Sequence, residues 1–216
     1  MNKEKIILVG GGGHCKSVID VIEAEGKFEI AGIIDTKEKI GTDVSSYKVI
    51  GSDDDLEQLS KKYINFFVSL GYIKSNTSRI RIFNSLQSLG VTLPTIISPR
   101  AYISHNAIIG KGTIVMHDAF VNSGANIGEA CILNTGCIIE HDVTIGNHSH
   151  ISTGAIVNGN CIININCFIG SNAVINNGIE TAPGTLVASG SVITEKTKPN
   201  SLYAGNPAVF KKNLDA

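Results

Sequence analysis

Three of the six histidines fall within ten residues, in the run Ile139-Glu140-His141-Asp142-Val143-Thr144-Ile145-Gly146-Asn147-His148-Ser149-His150-Ile151. His141 has a carboxylate on either side. A neighbouring carboxylate can orient an imidazole and hold its proton, the usual arrangement for a general base working near neutral pH. His150 lies nine residues further on and joins the same chemistry if the fold returns it to that face. Two rival readings are a set of exposed turn residues and a zinc site, although neither a Cys nor a third close ligand falls in register.

A second chemistry-bearing stretch stands at the start. The apolar run Lys5-Ile6-Ile7-Leu8-Val9 ends in Gly10-Gly11-Gly12-Gly13-His14. A helical pattern over Ser17 to Glu25 follows, then a strand, Ile30 to Ile34, and Asp35. Strand, glycine turn, helix, strand and acid form the order of a mononucleotide-binding βαβ half. Cys15 stands where a third fingerprint glycine belongs, so a ligand smaller than a dinucleotide is indicated. Glycines let a backbone approach closely, and a helix amino terminus favours phosphate. Asp35 is either an acceptor for ribose or base or a solvated turn residue; His14 either lies by the ligand or starts the helix. Asp53-Asp54-Asp55 reads as a helix start, with a metal site as the alternative. Phe66 to Gly71 reads as a third strand and Arg79 to Leu89 as a helix stopped by Gly90.

The elements that must position the histidines are read from a repeat. From Ile97 to Ile193 an aliphatic residue recurs every sixth position, in 16 of 17 in-phase places against 12 of the other 80. Thr181 is the exception. Neither a helix nor a half-buried strand has that period, whereas a β-helix does. Four residues after most of the aliphatics stands a small side chain, such as Ala119, Ala125, Cys131, Ser149 or Ala173. Three hexads make one turn of a triangular prism, so residues 18 apart stack at ~4.8 Å, giving about five coils. On that register Gly159 lies one coil above His141, where its N–H could meet an oxyanion.

Pro94 and Pro99 bracket the crossing into the first coil. The chain therefore reads as an α/β Rossmann-like unit over 1–93, an all-β parallel β-helix over 94–196, and a carboxyl-terminal loop and tail over 197–216. A net charge of −1 gives no basic footprint for nucleic acid. No run of 18 apolar residues occurs, so no membrane span is expected. The start lacks a signal-peptide pattern, and the expected location is cytoplasmic. Four of the five cysteines (131, 137, 161 and 167) occupy the small inward slot, where Cys acts as an apolar filler. No metal is expected.

The hexads, Gly10-x-x-Gly13-His14, Asp35, Asn134-Thr135, Ile139-Glu140-His141-Asp142, Ser149-His150-Ile151-Ser152 and Gly205-Asn206-Pro207-Ala208 together resemble the left-handed β-helix (hexapeptide-repeat) acyltransferases. The chain is similar over nearly its whole length to the branch of bacterial nucleotide-amino-sugar N-acetyltransferases and sialic-acid O-acetyltransferases. The resemblance implies acetyl transfer from acetyl-CoA to a nucleotide-linked amino sugar in surface-glycan synthesis by a homotrimer, with the co-substrate lying between adjacent β-helices. It implies His141 as base, Asp142 (often Glu in the family) as its orienter, His150 near the thioester and the Gly159 N–H at the carbonyl oxygen. Gly10, Gly12, Gly13, His14, Asp35 and Gly71 would hold the nucleotide sugar. Gly159, Ala188, Gly205, Asn206, Pro207 and Lys211 would lie along CoA, with Lys212 also available for phosphate. The loop Tyr72 to Ser78 is longer than the short turn of the UDP-amino-sugar enzymes, which leaves the nucleotide open. O-acetylation of a sialic acid, a non-catalytic sugar-binding trimer and a metal-dependent lyase are the competing readings.

Overall fold

The computed structural model describes residues 3–214 and divides into two units, Met1–Pro99 and Arg100–Ala216. In the first, strand β1 (Glu4–Val9) carries Ile6, Ile7 and Leu8 with no exposed surface. A strand apolar on both faces belongs in the middle of a parallel sheet. It pairs in parallel with β2 (Phe28–Ile34) on one side and with β5 (Asn65–Val68) on the other. Helix α1 (Gly13–Glu25) buries Cys15, Val18, Ile19 and Ile22, spaced as one helical face, and ends on left-handed Gly26, whose N–H caps the Ile22 carbonyl.

Two strands escaped the sequence reading. β3 (Asp43–Val44) and β4 (Tyr47–Gly51) form a ribbon, and β4 lies parallel to β2, giving the order β3-β4-β2-β1-β5. The β4 alternation is short: Val49 and Gly51 are buried, while Lys48 and Ile50 are exposed. The remaining helices are α2 (Leu56–Ser60) and α3 (Thr77–Ser88). Strand β5 stops at Val68, earlier than the sequence reading. The Arg79 side chain of α3, itself buried, donates to the carbonyls of Val68 and Leu70 and holds the chain as it leaves the sheet.

The second unit is the left-handed parallel β-helix. Its two-residue strands stack in three parallel sheets with an 18-residue register: Phe120 on Ile138, Thr144 on Ile162, His150 on Phe168. The in-phase aliphatics from Val121 to Ile175 are at most 1% exposed, each burial stabilising by about 1.5–3 kcal/mol. Thr181 is accommodated by a contact with the Cys167 thiol at 3.4 Å. Three residues after each in-phase residue from Ile109 to Val187 the backbone enters the left-handed region, with φ of 74° at Gly124 and 60° at Asp142, which turns the corner. Residues 201–213, expected as loop and tail, form instead an antiparallel hairpin, Ser201–Gly205 with Ala208–Asn213, laid in parallel on Leu186–Val187. The alternation of buried Ser201 and Tyr203 with less buried neighbours is the signal that reading passed over. Among the described residues no helix is long and apolar enough to cross a membrane.

Candidate active site

Ile139 points into the prism and anchors the turn Glu140-His141-Asp142 at one of its corners. Left-handed backbone at Asp142 brings its carboxylate back to the preceding residue, and His141 Nδ1 lies 2.9 Å from Asp142 Oδ2. A carboxylate only accepts, so Nδ1 carries a proton, and in the neutral form of the ring the lone pair is at Nε2. Glu140, the other flanking acid, instead accepts a hydrogen bond from Asn122 Nδ2 at 2.8 Å, one coil earlier. The His141 and Asp142 side chains are 52% and 61% exposed in the single chain. Above the ring is Gly159: a Cβ there would come within 2.6 Å of both Cε1 and Nε2. Glycine at that position is what lets the imidazole lie down on the next coil.

His150 belongs to a different sheet of the prism, as the first residue of the strand His150–Ile151. It is buried, meets the edge of Phe168 at 5.0 Å, and its Nε2 lies 3.2 Å from Asn134 Nδ2. Asn134 was not among the site residues read from sequence, though the 18-residue stacking sets it one coil below Ser152, two residues past His150. The three clustered histidines are thus distributed: His141 and His148 turn corners, and His150 lies in a strand. Among the described residues no group of His, Cys, Asp or Glu could hold a metal ion.

In the first unit the glycine turn is clasped by Asp35. Its Oδ2 accepts from the Gly11 N–H at 2.8 Å and from Lys39 Nζ at 2.9 Å, and its Oδ1 accepts from the Thr36 N–H at 2.7 Å. Burial opposes ionisation of Asp35, but the hydrogen bonds from Lys39, Thr36 and Gly11 outweigh it and hold the carboxyl below its ordinary value. Gly10 takes φ of 109° and packs against Leu70. Gly12 and Gly13, at the amino end of α1, face open space. His14 lies against Gly71, where a Cβ would meet the His14 Cβ at 2.9 Å.

Beside this turn is a cavity of about 300 Å³, lined by Gly10, Asp35, Thr36, Ser52, Leu70 and Arg81 among others. Two ion pairs rim it, Arg81–Asp53 at 2.7 Å and Lys37–Asp54 at 2.6 Å. Sequence reasoning had Asp53 and Asp54 as a helix start, with a metal site as the alternative, and did not single out Lys37 or Arg81. The Ser52–Asp55 capping box does start the helix, leaving the two preceding acids to form the rim.

At the far end of the β-helix, Ala188 donates its N–H to the Tyr203 carbonyl and Gly205, with φ of 115°, donates to Ser191 Oγ. The hairpin turn Gly205–Ala208 includes Asn206 and Pro207, and Lys198 lies over the Phe210 ring while Lys211 is exposed.

Residues 5–86 match the family described as the PglD N-terminal domain. The acetyltransferase domain of PglB from Neisseria gonorrhoeae is 32% identical, with a TM-score of 0.90, over 97% of this chain and 100% of that one. The chain belongs to the hexapeptide-repeat acyltransferases. The same Neisseria domain has been solved with acetyl coenzyme A. A second member of this fold, PerB from Caulobacter crescentus, was solved with CoA and GDP-perosamine; it is 27% identical, with a TM-score of 0.78, over 96% of this chain and 97% of that one. An uncharacterised protein of Acanthamoeba polyphaga mimivirus is 31% identical over 124 residues, 57% of this chain. The chain spans 24% of the length of that curated relative.

Proposed function

We propose that this acyltransferase is an acetyl-CoA-dependent N-acetyltransferase acting on the amino group of a nucleotide-linked amino sugar, with His141 as general base. The observation that carries the reading is the His141–Asp142 pair on an exposed corner, in which the carboxylate engages Nδ1 and leaves Nε2 as the atom to take the acceptor's proton. The relatives solved with acetyl coenzyme A and with GDP-perosamine supply the two substrate classes. In the reaction the acceptor nitrogen attacks the thioester carbonyl and passes its proton to His141 Nε2. The tetrahedral intermediate collapses with cleavage of the C–S bond, and the proton goes on to the departing thiolate. The protein's contribution is to hold both partners together and to accept the proton at the right moment. The Gly159 N–H, which has no acceptor among the described residues, is assigned to the carbonyl oxygen.

In this reading the nucleotide occupies the cavity beside Asp35, with its phosphates at Gly12, Gly13 and the start of α1, where the helix dipole favours negative charge. His14 and Gly71 border the same turn. CoA runs along the β-helix toward Ala188, Gly205, Asn206, Pro207 and Lys211, and His150, steadied by Asn134, places the thioester. The working assembly is a homotrimer; an outward row of apolar side chains on one sheet, from Tyr102 and Phe120 to Val192, supports it. We place the enzyme in the cytoplasm, in bacterial surface-glycan synthesis. The test is CoA thiol release from acetyl-CoA with a UDP-4-amino sugar, a GDP-amino sugar and sialic acid as acceptors. Release with an amino sugar alone supports the reading, release with sialic acid alone replaces it with O-acetylation, and no release with any acceptor leaves a binding protein.

A further inference from the structure

The His141–Asp142 pair is seated between two glycines related to it by the coil register. Gly159 stands 18 residues after His141, and Gly124 stands 18 residues before Asp142. A Cβ on Gly124 would come within 2.4 Å of Asp142 Oδ1, while the other oxygen of the same carboxylate holds His141 Nδ1. We propose that Gly124 is a positioning residue for the reaction: it leaves the space in which the Asp142 carboxylate can lie flat and keep the imidazole aimed. The proposal rests on His141 acting as the base.

The backbone does not itself demand glycine at this turn. Ala130, Asn160 and Asn166 occupy the equivalent place in other hexads with φ of 53° to 60°. Ala130 shows that a Cβ is tolerated in that conformation. Elsewhere the same turn position holds a glycine with nothing near its would-be Cβ, as at Gly136, Gly178 and Gly190. Gly154 repeats the Gly124 geometry beneath Asn172, whose Oδ1 would lie 2.3 Å from the added carbon. An Asn or Asp leaning back over a glycine one coil earlier is thus a corner device of this β-helix, and at Asp142 it coincides with the catalytic pair. The atom that the methyl added by Gly124→Ala meets is the end of a movable side chain, so the carboxylate yields rather than the coil. Its displacement by about an ångström carries the imidazole off line, and misplacement of that size costs turnover rather than folding.

The experiment compares Gly124→Ala, Asp142→Ala, the double variant and Gly136→Ala, which shares the backbone strain but faces open space. Steady-state kcat and KM for both substrates, the pH profile of kcat and the urea midpoint are measured on each. Gly124→Ala is expected to lower kcat about tenfold to a hundredfold with both KM values and the urea midpoint matching Gly136→Ala. The double variant is expected to be no slower than Asp142→Ala, because the carboxylate through which Gly124 acts is already gone. A kcat for Gly124→Ala equal to that of Gly136→Ala overturns the proposal, as does a loss that multiplies with that of Asp142→Ala. Full turnover in His141→Ala, measured alongside, would instead remove the imidazole from the mechanism and with it the reading on which the proposal rests, an outcome told apart because it is read in that variant whatever Gly124→Ala does.

Discussion

The Nε2 of His141 lies 2.6 Å from the point that a Cβ on Gly159 would occupy. Gly159→Ala therefore lifts the ring off the next coil, and the ring rather than the coil gives way. In the proposed mechanism kcat falls by about two orders of magnitude while the protein still folds and its circular dichroism spectrum is unchanged. Unaltered turnover in this variant would mean that the ring's resting place has no part in catalysis.

Removing the base itself has a larger effect. His141→Ala is expected to lower kcat by about two to four orders of magnitude, the usual span for a lost general base. KM for acetyl-CoA should change little. Single-turnover thiol release is the readout, and a rate equal to that of the parent would exclude the imidazole from proton transfer.

Asp35 carries a prediction for acid stability. Its folded-state carboxyl titrates below its ordinary value, because Lys39, Thr36 and Gly11 donate to the ionised form against the cost of burial. Stability from this group is therefore complete above the ordinary value of 3.8 and is lost as the pH falls through the lower folded value. Asp35→Ala leaves the Gly11 and Thr36 amides without their acceptor and should cost about 1 kcal/mol at pH 7. The difference between parent and variant should shrink in urea titrations carried below the ordinary carboxyl value of 3.8. A gap that persists unchanged in strong acid would contradict the assignment.

All five cysteines are buried and free. Burial pushes the Cys137 thiol up to about 12 and the Cys15 thiol up to about 11. Since only the thiolate attacks, the folded protein at pH 8 should leave a disulfide reagent unreacted, and thiol titration should appear only with denaturant. Rapid labelling of the native protein would show that the coils open.

The hexad period made the β-helix legible because each in-phase position has one environment, a prism interior that favours branched aliphatics and takes Thr181 only with a polar contact to Cys167. The same counting set Gly159 over His141 and assigned Cys131, Cys137, Cys161 and Cys167 to inward slots. What it could not supply was side-chain choice at a corner. Which of Glu140 and Asp142 holds the imidazole depends on the left-handed backbone at Asp142 and on Asn122 reaching Glu140 from another coil. The rim pairs Lys37–Asp54 and Arg81–Asp53 were invisible for a similar reason: they join elements separated in sequence. The ribbon Asp43–Gly51 and the hairpin 201–213 were missed because strands of two to six residues with one buried side carry little periodicity.

The 18-residue register has an evolutionary corollary. Deleting one hexad between Gly124 and His141 would swing the imidazole a third of the way round the prism relative to the coils before it, and part Asp142 from the glycine beneath it. Excising a whole circuit would merely shorten the column and return the imidazole to the same azimuth. Length in this half of the chain can therefore drift only in steps of three repeats wherever the reactive edge must stay aligned.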